Sequence, residues 1–272
     1  MSDKRAIGVF DSGLGGLTVA KELRRVLPAE DIIYFGDTGR VPYGTRSRET
    51  IRKYAAQDER FLLTHNVKTI IAACGTVSSV ASDLASDLPV PYFEVVSHAA
   101  KAAVKATENK IIGVIGTAAT INSGQHKKII KELLPDADVI ASSCSMFVPL
   151  VEEGWYSADD IVVTETVRRY LEPIVKSGAD TLILGCTHYP VLSDAIRKIV
   201  GNDMKLINAG ITTAEAVKNY LTENDLLNKS AKEGTTRFYV SDKPDSFRKI
   251  ASVLIDSEID DGKVEQVNIS SL

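Results

Sequence analysis

Short apolar runs alternate with amphipathic stretches along most of the chain. The apolar runs carry almost no charge, which is typical of strands buried on both faces of a parallel sheet. Between them, apolar residues recur at helical spacing, as in 17–27 and 47–65. Strands separated by helices predict parallel sheets that are wound on both faces, in the manner of Rossmann and flavodoxin folds. The predicted strands are 5–10, 31–35, 67–73, 111–115, 138–140, 181–184, 205–208, 236–241 and 264–269, and predicted helices include one from 74 to about 86, one from about 157, 211–222 and 244–255.

The first half of this pattern is repeated in the second half. Thr69–Cys74 is a threonine, four small or aliphatic residues and a cysteine, and Thr181–Cys186 has the same form. The strand at 5–10 is echoed at 111–115, and the strand at 31–35 at 138–140. Because the matches occur in the same order, they indicate an internal duplication. We therefore expect two pseudosymmetric α/β domains, with 98–208 inserted between 1–97 and 209–272, and a ligand cleft between them at the carboxyl ends of the strands.

Composition narrows the function classes. The chain has 272 residues, 44% of them hydrophobic, and a net charge of −4. This charge gives no reason to expect nucleic acid or an anionic membrane as a partner, and no apolar run is long enough to span a bilayer. The amino terminus lacks the apolar core of an export signal, so we expect a cytoplasmic protein. Three cysteines without a CxxC pair predict neither a disulfide framework nor structural zinc. The glycine-rich turn 12–16 departs from the dinucleotide fingerprint, so we expect no nicotinamide cofactor. The absence of a His/Cys cluster in the sequence gives no reason to expect a metal.

The repeat pairs two thiols, Cys74 and Cys186. Each comes directly before a predicted helix start, where a thiolate is favoured. Two thiols on opposite sides of a cleft can act on the two faces of one tetrahedral carbon, one removing a proton and the other delivering one. A hydrolase needs only one nucleophile with a nearby base, so paired thiols favour a racemase. Cys144 has no counterpart in the repeat and is interpreted as a small buried residue.

Acidic and imidazole groups are expected near both thiols. Asp11 follows the first strand and could assist Cys74 in proton handling, although a helix cap is the alternative. His188 could assist Cys186, with Glu152 orienting the ring and Glu153 as the alternative carboxylate. The other histidines, which lie in polar helical contexts, are predicted at the surface: His65, His98 and His126.

Hydroxyl groups and glycines in the same turns offer neutral donors for substrate carboxylates. Arg40 and Arg46 could approach an anion, but no spacing singles them out. Tyr43 could contact a ligand or pack within its loop. The remaining candidates are Ser12, Gly44, Thr76, Thr117, Thr120 and Thr187.

Five motifs in order give the chain a family resemblance. They are Asp11-Ser-Gly-Leu-Gly-Gly16, Val41-Pro-Tyr-Gly44, Cys74-x-Thr76, Pro149-Leu-Val-Glu-Glu-Gly154 and Gly185-Cys-Thr-His-Tyr-Pro190. In these the chain resembles the glutamate racemases of the cofactor-independent aspartate/glutamate racemase superfamily. The resemblance implies 1,1-proton transfer between L- and D-glutamate, a supply of D-glutamate for peptidoglycan, and a homodimer. It implies Cys74 and Cys186 as the catalytic pair, with Asp11, Glu152 and His188 as auxiliary groups. The expected substrate contacts are Ser12, Pro42, Tyr43, Gly44, Gly75, Thr76, Thr117, Thr120 and Thr187.

Gly75 departs from the family pattern, which usually has asparagine after the first cysteine. A glycine keeps the backbone N–H but lacks the side-chain amide. A milder departure is the turn Asn208-Ala-Gly210, where an acidic or serine-containing turn is common. Three other functions remain open from the residues alone: racemisation of aspartate or another small amino acid, hydrolysis by one cysteine, and ligand binding without catalysis.

Overall fold

Parallel strands alternate with helices throughout the computed structural model, which describes residues 2–255 and 263–269. The first half contains β1 (Ile7–Asp11), α1 (Leu17–Val26), β2 (Ile32–Gly36), α2 (Arg48–Thr64), β3 (Thr69–Ala72), α3 (Gly75–Val80), β4 (Tyr92–Glu94) and α4 (Val95–Ala106). The second half contains β5 (Ile111–Gly116), α5 (Ala118–Ser123), α6 (Gln125–Leu133), β6 (Asp138–Ser143), α7 (Phe147–Glu152), α8 (Ile161–Lys176), β7 (Thr181–Leu184), α9 (Ser193–Val200) and β8 (Lys205–Asn208). The chain continues through α10 (Ala209–Glu223), β9 (Thr236–Val240), α11 (Pro244–Ile255) and β10 (Val264–Gln266).

The strands form two sheets whose described pairs are all parallel. One sheet has the order β10-β9-β2-β1-β3-β4 and the other β6-β5-β7-β8. The order β2-β1-β3-β4 in the first sheet thus corresponds to the order β6-β5-β7-β8 in the second sheet. In this correspondence β1 matches β5, β2 matches β6, β3 matches β7 and β4 matches β8. This confirms the predicted α/β class with two similar halves, and it agrees with the repeat read from the sequence.

The carboxy-terminal segment returns to the first sheet. β9 pairs with β2 along its length, with Ile32 opposite Thr236, and α10 packs against α1 and α4. Polar contacts hold the connection: the Asn228 N–H donates to Glu30 Oε1 at 2.8 Å, and Lys68 Nζ donates to the Leu226 carbonyl at 2.8 Å. Glu30 and Lys68 also form a buried ion pair. This segment therefore belongs to the same layer structure as the first half.

Helix starts follow local capping chemistry. Ser47 accepts a hydrogen bond from the Thr50 N–H at the start of α2, and Asp160 accepts from the N–H groups of Val162 and Val163 at the start of α8. Side-chain oxygens at these positions satisfy N–H groups that the first helical turn leaves unpaired. The expected helix from about Ser157 was therefore placed too early, because its cap is Asp160.

Two other predicted elements are shorter than expected. The helix expected to run to residue 86 ends at Val80, and a 3-10 helix, Ser82–Asp87, follows. The strand expected at 264–269 covers only Val264–Gln266.

His126 was wrongly assigned to the surface: it is 4% exposed. The other two predicted surface histidines are half-buried and contact aromatic rings: His65 lies at a tilt against Phe61, and His98 stacks on Phe93.

Candidate active site

Five strand ends deliver the candidate residues to one edge of each sheet. Asp11 ends β1, Cys74 follows β3, and Cys186 follows β7. The glycine-rich loop after β1 faces the second half directly, since a side chain at Gly15 would overlap Thr187 and His188. Further loops follow β2 and β5 and carry Pro42–Gly44 and Thr117. The two thiols therefore lie in one enclosed region that both halves build.

Cys74 lies in a buried position beside Ser12. Its thiol lies 3.3 Å from Ser12 Oγ and is 5% exposed. Burial raises the pKa of the Cys74 thiol to about 12, and the negative charge of Asp11 adds to the rise. The expectation that the helix start would favour a thiolate here is not met, because α3 has only six residues and desolvation outweighs its dipole.

Cys186 has a different partner. Its Sγ lies 3.9 Å from Nδ1 of His188, and the other ring nitrogen, Nε2, lies 3.2 Å from Glu152 Oε1. Burial alone lowers the pKa of His188, but hydrogen bonds with Cys186 and Glu152 and their negative charges outweigh it and raise the pKa to about 10. Both neighbours therefore favour the cationic form of His188. Of the two alternative carboxylates, Glu152 contacts the ring, whereas Glu153 is exposed.

Asp11 is a buried carboxylate with one oxygen in use. Its Oδ2 accepts a hydrogen bond from the Gly13 N–H at 2.9 Å. Its Oδ1 is buried and has no hydrogen-bond partner within the described residues. Burial raises the pKa of Asp11, and the positive charge of His188 partly offsets this. An unpaired buried carboxylate oxygen is costly, so this atom is available to a ligand.

A chain of threonine hydroxyls crosses between the halves. Thr76 Oγ1 lies 3.0 Å from Thr117 Oγ1, which donates to Thr120 Oγ1 at 3.0 Å. On the other side of the region, Thr18 Oγ1 donates to the Thr187 carbonyl at 2.9 Å. Thr18 was not among the candidates, and only its position in the first turn of α1 could have suggested it. These bonds connect the halves at the level of the thiols.

The candidate residues in the loop after β2 have different surroundings. The Tyr43 side chain is 1% exposed, and its hydroxyl donates to Asp37 and Asp58. Of its two alternatives, the ring therefore has the packing role. Gly44 lies against Thr117, since a Cβ at Gly44 would be 3.2 Å from Thr117 Cβ. Pro42 is exposed and follows a cis peptide bond.

Arg40 does not face an open anion site. Its guanidinium contacts Asp37, Asp58 and Gln57 and lies 4.1 Å above the ring of Tyr54. Burial raises the pKa of Asp58 well above its ordinary value, with the Asp37 charge as the second cause. The sequence gives no sign of the Asp37–Asp58 carboxylate pair, because only the fold brings the loop after β2 and helix α2 together.

Gly75 lies against the backbone of the other half. A Cβ on Gly75 would overlap the carbonyl oxygen of Gly185 from the other half, and it would lie 3.7 Å from Thr120 Oγ1. Behind Gly185 lies the ring of His126, whose buried Nε2 has no hydrogen-bond partner in the described part of the chain.

The described residues include neither a metal-binding cluster nor a membrane-spanning helix. Within residues 2–255 and 263–269, no three His, Cys, Asp or Glu side chains are grouped as a metal ion requires. None of the helices described there is both long and apolar enough to cross a bilayer.

Comparison with known proteins relates this geometry to a family. The family model described as Asp/Glu/Hydantoin racemase matches residues 7–217. The glutamate racemase of Geobacter metallireducens is 41% identical over 98% of both chains. That of Thermoanaerobacter pseudethanolicus is 43% identical over 95% of this chain and 96% of its own.

Solved structures agree with these relatives. The glutamate racemase of Francisella tularensis, in complex with D-glutamate, superposes with a TM-score of 0.92 at 40% identity, covering 99% of this chain and all of its own. The Thermus thermophilus enzyme, in complex with β-chloro-D-alanine, gives 0.89 at 42% identity over the whole of both chains. An aspartate racemase of Picrophilus torridus, at 15% identity and a TM-score of 0.56, shares the fold.

Proposed function

The chain belongs to the Asp/Glu/hydantoin racemase family and is an amino-acid racemase, and we propose that it interconverts L- and D-glutamate by proton transfer between two cysteines. The observation that carries this proposal is the enclosure of two thiols between matching halves, one beside Asp11 and one beside His188. The relatives named above, which are glutamate racemases, support glutamate as the substrate.

The reaction is a proton exchange on opposite faces of Cα. A thiolate on one side takes the Cα proton, and the electrons of the broken C–H bond are delocalised into the substrate carboxylate. The thiol on the far side then donates its proton to Cα, which forms the new C–H bond and inverts the centre. The thiol that received the proton is now the acid, so the opposite enantiomer uses the same pair with exchanged roles. Neither a cofactor nor a metal takes part in this scheme.

The auxiliary groups act on charge rather than directly on Cα. The pKa of Cys74, about 12, suits it to begin a cycle as the proton donor. The cationic ring of His188 can stabilise negative charge as it develops on Cys186 Sγ, and Glu152 holds that ring in orientation. Asp11 Oδ1, which has no partner within the described residues, suits the substrate ammonium group.

Backbone and hydroxyl donors suit the substrate carboxylates. The loop glycines and the threonine chain form neutral walls around the thiols, and the described part of the wall includes no arginine clamp. We assign substrate contacts to Ser12, Pro42, Gly44, Gly75, Thr76, Thr117, Thr120 and Thr187, and to the backbone of Tyr43. In this proposal the two domains are 1–97 with 209–272, and 98–208, and the substrate lies between them.

The cellular role follows from the same assignment. A glutamate racemase in the cytoplasm supplies D-glutamate for peptidoglycan synthesis, and we assign that role, with a homodimeric assembly, to this protein. Nucleic acid and membranes are not among the proposed partners.

Incubation in D2O tests the activity directly. The purified, chelator-treated protein is mixed with L-glutamate, and circular dichroism and α-proton NMR are followed. Decay of the optical signal to zero, with deuterium appearing at Cα, is the expected result. Unchanged glutamate, with racemisation of aspartate instead, would overturn the substrate assignment. Inertness toward both amino acids would contradict the catalytic proposal.

A further inference from the structure

Gly75 lies against the backbone of the opposite half. The Gly185 carbonyl oxygen occupies the space that a side chain on Gly75 would need, at a separation from the ideal Cβ far below van der Waals contact. The obstacle is a backbone atom, so a rotamer change cannot remove it. Any side chain at this position therefore requires the backbones to move apart.

Gly185 has little room to retreat. Its N–H donates to the Ile115 carbonyl at 2.8 Å, which ties it to the neighbouring strand. On its far side is the ring of His126, whose Cε1 would lie 3.3 Å from a Cβ on Gly185. His126 is 4% exposed and is itself enclosed by the fold. Gly185 is thus held between Gly75 and His126.

Both members of this contact adjoin a thiol in sequence. Gly75 directly follows Cys74, and Gly185 directly precedes Cys186. Because each glycine is covalently joined to the cysteine beside it, we expect a change in the Gly75–Gly185 separation to alter the separation of the two sulfur atoms. Proton transfer requires both groups within hydrogen-bond reach of one carbon, and small displacements there cost large factors in rate.

We propose that Gly75 is a positioning residue that sets the distance between the two thiols, by allowing the Gly185 carbonyl to pack directly against its backbone. The inference rests on the proposed racemase function. It differs from the simpler view that glycine merely removes a side-chain amide from the substrate site. In that view asparagine at position 75 improves binding, whereas in ours any side chain there impairs catalysis.

Gly75→Ala and Gly75→Asn distinguish the two views. Racemisation is measured from both enantiomers, with kcat and KM separated. We expect kcat to fall about tenfold or more in both directions for alanine and further for asparagine, with KM changed less than about threefold. Gly39→Ala is the matched control, because its Cβ would meet Ser241 Oγ at 3.2 Å and Asp242 Cβ at 3.4 Å, and neither residue is assigned to the site. This control is expected to keep the wild-type kcat.

Three results bear on the proposal without ambiguity. A Gly75→Asn enzyme with lowered KM and undiminished kcat would overturn it, as would Gly75→Ala with the kcat of the wild type. An inert wild-type protein would instead refute the racemase assignment, and it would be seen before any variant is made.

A second substitution examines the contact behind Gly185. His126→Ala opens space into which Gly185 can move, so the Gly75→Ala/His126→Ala protein should have a higher kcat than additivity of the single variants predicts. If Gly75→Ala folds, a double variant with no higher kcat than Gly75→Ala contradicts the spacing role. If Gly75→Ala does not fold, the double variant replaces it in the test; a kcat below that of His126→Ala then supports the role, and a kcat equal to that of His126→Ala contradicts it.

Discussion

The Nε2 atom of His188 lies 3.2 Å from Oε1 of Glu152, while Nδ1 of the same ring lies 3.9 Å from Cys186 Sγ. The imidazole thus connects a carboxylate at the end of α7 to a thiol after β7. Cys74 has a different environment, since its nearest carboxylate, Asp11, raises the pKa of the thiol together with burial. The duplicated fold therefore carries two thiols with unequal electrostatics.

Glu152→Gln should lower the pKa of His188. The glutamine removes one of the negative charges that raise this pKa to about 10, and a decrease of about one unit or more is expected. NMR titration of the ring follows it, with Glu153→Gln as the matched control because Glu153 is exposed. An unchanged His188 titration in Glu152→Gln would show that the ring is held by other groups.

Cys74→Ser and Cys186→Ser should each abolish turnover in both directions. A hydroxyl is far less acidic than a thiol, and general acid–base groups contribute about 100-fold or more to rate. Starting separately from L- and D-glutamate separates the two thiols. Cys144→Ser is the control, since Cys144 is buried and its thiol contacts Ser142. Loss of activity from only one of the two site cysteines would favour a single-cysteine mechanism.

Tyr43→Phe should cost stability more than substrate affinity. The hydroxyl contacts Asp37 Oδ2 and Asp58 Oδ2 in the interior. Its loss removes the donor of Asp58 Oδ2, whereas Asp37 Oδ2 still accepts from Arg40 Nε. We expect the free energy of unfolding to fall by about 1–3 kcal/mol in urea titrations. Tyr54→Phe, whose ring packs 5.4 Å from that of Tyr43, is the control. A raised KM without destabilisation would assign the Tyr43 side chain to the substrate.

His126→Phe should make the protein more resistant to acid. Burial lowers the pKa of His126 from 6.5 to about 4, so the unfolded chain takes up this proton first as the pH falls. The wild type keeps its stability above pH 6.5 and loses about 3 kcal/mol between pH 6.5 and pH 4 from this residue. Phenylalanine removes that loss, which urea titrations at pH 7 and pH 4.5 measure. An equal pH dependence of both proteins would contradict the burial of a neutral ring.

The alternation of strands and helices and the two halves were accessible from the sequence because apolar strands and amphipathic helices are local patterns. The recurrence of Thr69–Cys74 as Thr181–Cys186 predicted equivalent strand ends, and parallel strands bring equivalent ends to one edge of a sheet. Element ends were less certain, as α8 shows, because one capping contact decides where a helix begins.

Contacts between distant segments were decided by the tertiary structure alone. The choice of Glu152 over Glu153 depends on which face of α7 meets His188, and the burial of His126 depends on the helix packing behind β7. From the sequence, Gly75 is notable only because it lacks the side-chain amide of the asparagine that is usual in the family. The fold brings the Gly185 carbonyl against it, because close approach between halves is a property of three-dimensional packing that no local pattern encodes.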